Sequence, residues 1–524
     1  MEEKNGTTAE IRADGLDAGQ VARDGLTATD RYGTALITFD AKAEARLRLK
    51  IDLCVVPVVA LIFLFSFIDR ANIANARLAG LEKDLGMKNN DYNAVNSVFF
   101  LSYILFVVPL NLALKMLGPG WYLPVVTIAF GITSIGTAYV HNFSQLAGVR
   151  FLLGIFEAGI MPGISYYVGE FLSHSADWHA MEYTSFETLI DEEMLTLPSC
   201  HADVVMAPLA GAFGGLLASG ILNVRGFGGI PDGSWRLIFI IEGFITITIG
   251  VASLFLLTDR PETARWLSQA EKDLAVARVK SERIAVTQTL DRPDAKKLWS
   301  GLSNPVTIVT GLIMLLETVT VQGLTFFAPT IIRSIYPHAT VTQQQLYTVP
   351  PYAAGAAGMV AVCLLSWRLD RRHVFMVGCA LPVMVGYIMF LATGDATTRY
   401  AALFIIAFTA FTPGALTYAQ VSANVVSDSA RSMSVATNML FANFGSLIAT
   451  WSFVASDAPY YHIGNGLNFA TSSAWLILAV ALHFWMRWDN KKKEGRDVDS
   501  ELRSLDQKQI EDLDWKHPAF RWKP

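Results

Sequence analysis

The sequence predicts an all-α integral membrane protein: twelve transmembrane helices in two six-helix halves. Three observations predict it. Of the 524 residues 52% are hydrophobic and only 17% charged, where a soluble chain carries about a quarter charged. The apolar residues gather in blocks of roughly 18–25, the length a helix needs to cross a hydrocarbon core. A long hydrophilic stretch, 258–304, divides those blocks six and six.

Taken in order, residues 1–50 are polar and mixed in charge, with no apolar core behind a basic stretch. They read as a disordered cytosolic tail without a cleavable signal. The N-terminal half, 51–257, holds candidate spans at 51–76, 92–114, 121–140, 145–168, 204–222 and 236–257. The C-terminal half, 305–487, holds spans at 305–327, 348–367, 373–393, 399–421, 433–455 and 467–487, and a cytosolic tail, 488–524, follows. The four cysteines are scattered and form no C-x-x-C pair, so neither a disulfide framework nor a zinc site is expected.

Basic residues set the orientation. The central stretch 258–304 carries nine Lys/Arg, "RLDRR" occupies 368–372 and "MRWDNKKKEGR" occupies 486–496. The connections 141–144, 223–235 and 455–466 hold only Arg225. The positive-inside rule then places the central loop and both termini in the cytosol. Lys491–Lys493 read as juxtamembrane positive charge.

Ionisable groups inside spans cost several kcal/mol and should face a cavity or a partner. The first span ends "FSFIDRANIANA", 65–76, with Asp69, Arg70, Asn72 and Asn75. Two readings stand for Asp69 and Arg70: a polar helix end with a snorkelling arginine, or a cavity wall that meets substrate. In the fourth span Arg150 and Glu157 are seven residues apart on one face, with Gly154 between them. A carboxyl at mid-span is suited to loading and releasing a proton, so Glu157 is the natural proton carrier, a structural ion pair being the other reading. Glu317, midway along the seventh span, is either a second coupling site or a neutral acid bonded to a neighbouring helix. Tyr418, Gln420, Asn424, Asn438 and Asn443 add hydrogen-bonding groups in the tenth and eleventh spans, for ligand contact or as helix–helix glue. Arg70, Asn72, Tyr418, Asn424 and Asn443 are the candidate substrate contacts. Glu157, Arg150, Asp69 and Glu317 are the candidate coupling groups.

The segments "FIDRANIANARLAGLEKDLGM" (67–87), "VVPLNLALKMLGP" (107–119), "RFLLGIFEAGIMPG" (150–163), "LTDRPETARWLS" (257–268), "GLTFFAPTII" (323–332) and "DAPYYHIGNGLN" (457–468) resemble the anion:cation symporter branch of the major facilitator superfamily. The likeness is to fungal permeases of the allantoate, nicotinate, pantothenate and biotin type, over about 48–172 and 205–490. The resemblance implies the major facilitator fold and proton-coupled import of a small organic anion (a vitamin, ureide or other carboxylate) at the plasma membrane. The proton gradient would be the energy source, with no cofactor. It implies that Asp69, Arg70 and Asn72, matching D-R-x-N, lie beside the cavity. It also implies that Glu157 in the G-x-x-E-x-G-x-x-P element couples protons, with Gly154, Gly159 and Pro162 around it.

One stretch departs from that pattern. Positions 173–203 carry seven Asp/Glu and no Lys or Arg on the expected cytosolic side, and they shorten the fifth span. A gene-model error and a genuine acidic loop are both open. Metal binding by His174, His179, Cys200 and His201 finds no support in their spacing.

The partners expected are an anionic small molecule, protons and the bilayer, with no nucleic acid and a monomeric chain. Proton-exchange efflux of a secondary metabolite is the alternative. A nutrient sensor would need larger cytosolic domains. An enzyme is not expected, because the spans display no nucleophile–base pair, metal-ligand cluster or nucleotide loop.

Overall fold

The computed structural model describes residues 41–171, 197–224, 233–258, 264–275, 295–369, 371–494 and 513–524, with residues 226, 230, 231, 498 and 501 between them. Twelve helical spans occur in the expected order. The first six are Ala41–Leu78, Asp91–Leu117, Pro119–Thr137, Phe143–Ala158 continued by Ile160–Phe171, Leu197–Ile221 and Trp235–Leu256. The last six are Pro305–Ile335, Val341–Leu346 continued by Val349–Leu369, Arg372–Ala392, Ala396–Ala410 continued by Thr412–Ala423, Asp428–Ala449 and His462–Glu494. Ten of them are long and apolar enough to cross a membrane. The other two are the fifth, whose apolar part is Met206–Ile221, and the eleventh, rich in Ser and Asn.

Side chains at the helix starts satisfy otherwise orphaned N–H groups. Asn142 accepts from the Gln145 amide, Ser234 from Arg236, Asn304 from Val306 and Asp395 from Thr398. Thr340 and Gln343 form a reciprocal capping box. Between the second and third spans the chain turns at Gly118, φ 83°, directly before Pro119. A left-handed residue followed by proline both stops one helix and starts the next.

The halves repeat. The first span packs on the fifth as the seventh does on the eleventh, the second on the fourth as the eighth on the tenth, and the third on the sixth as the ninth on the twelfth. Small residues permit the closest approaches. A Cβ on Gly131 would meet Ile247 Cγ1 at 2.8 Å and Gly243 O at 3.0 Å, and one on Gly243 would meet Gly131 O at 2.9 Å. Large apolar side chains such as Leu105, Val108, Leu112, Ile132, Val385, Ile477 and Phe484 point outward, as lipid-facing positions require.

The halves are joined at the end of the bundle where the first span finishes. Tyr92 donates to Phe326 O at 2.9 Å, Asn93 to Thr450 O at 2.7 Å, and Gln345 to Asn75 O at 3.3 Å. Ser97 and Thr450 share a hydrogen bond at 2.8 Å, and Trp451 Nε1 donates to Ser97 at 2.8 Å.

At the opposite end, residues 513–524 fold back on the C-terminal half. Trp522 is buried with Val306, Leu482 and Met486. Its Nε1 donates to Asp489 Oδ2 at 2.6 Å, and its backbone exchanges 2.8 Å bonds with the Asn490 amide. Lys50 Nζ lies 2.8 Å from Glu271 Oε2, tying the start of the first span to the central stretch. That ammonium and the Ser268 N–H hold the Glu271 carboxyl down to about 2.

Two expectations meet the structure at their edges. The fifth helix, read as 204–222, starts at Leu197, so it takes in residues 197–203 of the acidic insert read as 173–203, whose residues 173–196 lie outside the described residues. The final helix runs to Glu494, beyond the end read at 487.

Candidate functional site

Among the described residues three spans are interrupted, the fourth, eighth and tenth, and the fourth and tenth are counterparts in the two halves. The fourth breaks at Gly159, ahead of Pro162-Gly163, and the tenth at Phe411, ahead of Pro413-Gly414. Each proline removes the amide that would bond four residues back, to Ala158 and to Thr409. Interrupted spans at matching positions of two repeats mark the place where transporters bind their cargo. Gly159 is required by its neighbour, since a Cβ there would collide with the Tyr122 hydroxyl.

A carboxylate sits against each break. Glu157 is two residues before Gly159 and is buried, 1% exposed. Its Oε1 accepts from Arg70 Nε of the first span, while Oε2 has no hydrogen-bond partner among the described residues. The Arg70 side chain retains 12% exposure. Its guanidinium lies over Phe67, Tyr103 and Phe99, at 5.0, 5.3 and 5.8 Å from the ring centres. A cation against aromatic faces is held without its hydrogen-bonding capacity being exhausted. On the other side Glu317 is buried beside the second break: a Cβ on Gly414 would stand 3.5 Å from its Oε1, and Thr318 Oγ1 donates to Oε2 at 3.3 Å. Tyr418, half-buried, lies within electrostatic reach of both Glu317 and Tyr103. Tyr103, beside Arg70 in one half, is thus within reach of Tyr418, beside Glu317 in the other.

Asp69 and Arg150 lie behind this wall. Asp69 accepts from Ser134 and lies within electrostatic reach of Arg150, whose Nε and Nη2 are buried without hydrogen-bond partners among the described residues. Sequence reasoning missed the neighbour of this pair, Glu242 in the sixth span. It is 2% exposed, and neither carboxyl oxygen has a hydrogen-bond partner among the described residues. It is the single charged residue of that span beyond Arg236, so the rule that singled out Glu157 finds it too. The paired Pro-Gly breaks were also legible as an internal repeat.

The amide side chains are placed differently. Asn72 is buried, with Oδ1 accepting from Asn75 at 3.4 Å. Asn75 also reaches Gly214 O at 3.5 Å, and its own carbonyl accepts from Gln345. Asn424 sits at the terminal end of the tenth span, far along the chain from the break. Its Nδ2 donates to Gln420 O at 2.8 Å and Lys523 O at 3.2 Å, and its Oδ1 accepts from the Lys523 amide at 2.8 Å. Its bonding capacity is taken up by the C-terminal segment. Asn443 is half-buried and donates to Met439 O of its own helix at 2.9 Å.

Comparison with known proteins completes the description. A family model described as Major Facilitator Superfamily matches residues 59–182 and 202–450. The high-affinity nicotinic acid transporter of Saccharomyces cerevisiae is 29% identical, over 86% of this chain and 80% of that one. The MFS transporter prlL of a fungal species, strain NRRL 50135, is 31% identical, over 86% and 88%. Among solved structures, a bacterial homologue of the human lysosomal transporter Spinster superposes with a TM-score of 0.59 at 17% identity, covering 85% of this chain and 97% of that chain. That likeness shows the fold.

Proposed function

The chain belongs to the Major Facilitator Superfamily, and we propose that within it this protein imports a small organic anion together with a proton. The observation that carries the reading is the Arg70–Glu157 pair at the broken fourth span. An arriving carboxylate competes with Glu157 for the guanidinium, which suits bidentate binding. Glu157 then lies buried without its counter-ion, a state that costs several kcal/mol unless the group is neutralised. It takes up a proton, so anion and proton are bound together, and releasing the anion restores the pair and expels the proton.

Tyr418 and Glu317 form the opposite wall in this scheme, Asn72 and Asn443 are further candidate contacts, and Asn424 is tied to the C-terminal segment. Nicotinate leads the substrate class because a relative at 29% identity is a nicotinic acid transporter. The protein works as a monomer in the plasma membrane with both termini in the cytosol.

The test is uptake of radiolabelled nicotinate, allantoate, pantothenate and tartrate at pH 5 and pH 7, with Arg70→Ala and Glu157→Gln beside the parent. At least one anion should enter faster at pH 5. Arg70→Ala should abolish that entry, and Glu157→Gln should leave counterflow but remove the response to pH. Unchanged, still pH-dependent uptake in both variants would sink the assignment. Extrusion driven by external acid would replace import with proton exchange.

A further inference from the structure

The interior of the N-terminal half holds an excess of carboxyls. Among the described residues Asp69, Glu157, Glu242 and Arg150 are buried, while Arg70 and Arg77 each keep 12% exposure. Arg70 is the counter-ion of Glu157 and Arg77 that of Glu82. That leaves Asp69, Arg150 and Glu242, two carboxyls with one guanidinium, and full ionisation of the three would leave an uncompensated negative charge away from water, which is strongly unfavourable. The three groups need one proton.

The cluster is assembled by four spans. Asp69 comes from the first and Ser134, bonded to it, from the third. Arg150 comes from the fourth and lies 5.8 Å from the Phe239 ring centre, one turn before Glu242 on the sixth. The Gly131–Gly243 contact draws the third and sixth spans together beside it. Asp69 acts electrostatically on Glu242 and on Arg150. The first span adds Arg70, the second adds Tyr92 within electrostatic reach of Arg150, the fourth adds Glu157, and neither the third span nor Met206–Ile221 of the fifth carries a charged residue.

A glutamic acid retained as structural glue in a membrane interior is hydrogen-bonded. Among the described residues both oxygens of Glu242, Oδ2 of Asp69 and two nitrogens of Arg150 have no such bond. We propose that Glu242 and Asp69 share one exchangeable proton, with Arg150 as the counter-ion of whichever carboxyl is ionised. In the conformation described, Asp69 is bonded to Ser134 and lies beside Arg150, and Glu242 holds the proton. Transfer moves that proton from the Glu242 carboxyl to Asp69 Oδ2, and the guanidinium turns to the newly formed Glu242 carboxylate. This arrangement rests on the proton-coupled reading of the same half, and it adds a carboxyl on the sixth span to the groups named there.

Infrared difference spectroscopy on the purified full-length protein, stepped between acid and alkaline pH, reads the proton directly and needs no substrate. The parent should show the carbonyl stretch of a protonated, unbonded carboxylic acid that is lost in Glu242→Gln. In Asp69→Asn that band should persist to higher pH, because its proton acceptor is gone, and in Glu242→Asp it should shift in frequency. Counterflow of radiolabelled nicotinate should survive in Glu242→Gln while accumulation against a pH gradient is lost. A band unchanged in Glu242→Gln and Glu242→Asp, or a Glu242→Gln protein whose pH-driven accumulation equals the parent's, overturns the proposal. Should no substrate move in the parent, the transport reading fails, and the infrared result still decides the proton's location.

Discussion

Replacing Trp522 by alanine should release the C-terminal segment from the bundle. The indole is 2% exposed and stacks within 4.9 Å of Phe520, 5.4 Å of Trp485 and 5.8 Å of Trp515 between ring centres. Truncating a buried Trp costs about 3–5 kcal/mol. The loss of its 2.6 Å bond to Asp489 adds about 0.5–1.5 kcal/mol before solvent takes its place. At 1.4 kcal/mol per decade, even the lower bound raises the opening equilibrium by roughly 100-fold. The Lys523 and Val426 amides report on it, because they bond to Asn424 Oδ1 at 2.8 Å and Asp514 Oδ1 at 2.9 Å. Hydrogen–deuterium exchange in peptides covering 420–428 and 513–524 should accelerate by that factor or reach the unprotected limit, while 305–327 keeps its protection. Equal protection in parent and Trp522→Ala would show that the segment is not held by this packing, and the reasoning would fail.

Gly159→Ala should cost about 1–3 kcal/mol by overpacking against Tyr122 and depress uptake. The double variant with Tyr122→Phe, which removes the colliding hydroxyl, should recover thermal stability in detergent. Tyr92→Phe should loosen the joined end by about 0.5–1.5 kcal/mol, read as faster labelling of a cysteine introduced at Ser97, and an unchanged labelling rate counts against it. Glu271 has its carboxyl lowered to about 2 from 4.5, so its contact with Lys50 stabilises above pH 4.5 and is lost as pH falls towards 2. The difference in thermal stability between parent and Lys50→Ala should therefore be largest at pH 5–7 and shrink on acidification, and a pH-independent difference would refute the contact.

The number and order of helices were readable because lipid forces each crossing to be a long apolar run. Their ends were less so. The first, seventh and twelfth helices extend past their apolar cores to Ala41, Ile335 and Glu494, since polar residues continue a helix into the headgroup region without a hydropathy signal. Within the site, the role of single charges was visible one span at a time, but pairing was not. That Arg70 meets Glu157, whereas Asp69 meets Ser134, depends on how three helices rotate against one another. Asn424 shows the limit most clearly, because its partner, Lys523, lies 99 residues away in a segment read only as a cytosolic tail. The aromatic residues Trp515, Phe520 and Trp522 were the available hint that this segment packs.

The bonds that join the two halves have a consequence for control. Tyr92, Asn93 and Gln345 all grip main-chain carbonyls of the opposite half, and Ser97 meets a threonine hydroxyl. Such a latch recognises the partner's backbone shape, so it tolerates change in the facing side chains. These groups are neutral at every physiological pH, so they give acid no direct hold on the latch. In the proton-coupled scheme proposed above, the effect of acid on opening reaches them from carboxyls elsewhere in the fold, by the tilt of the helices that carry both.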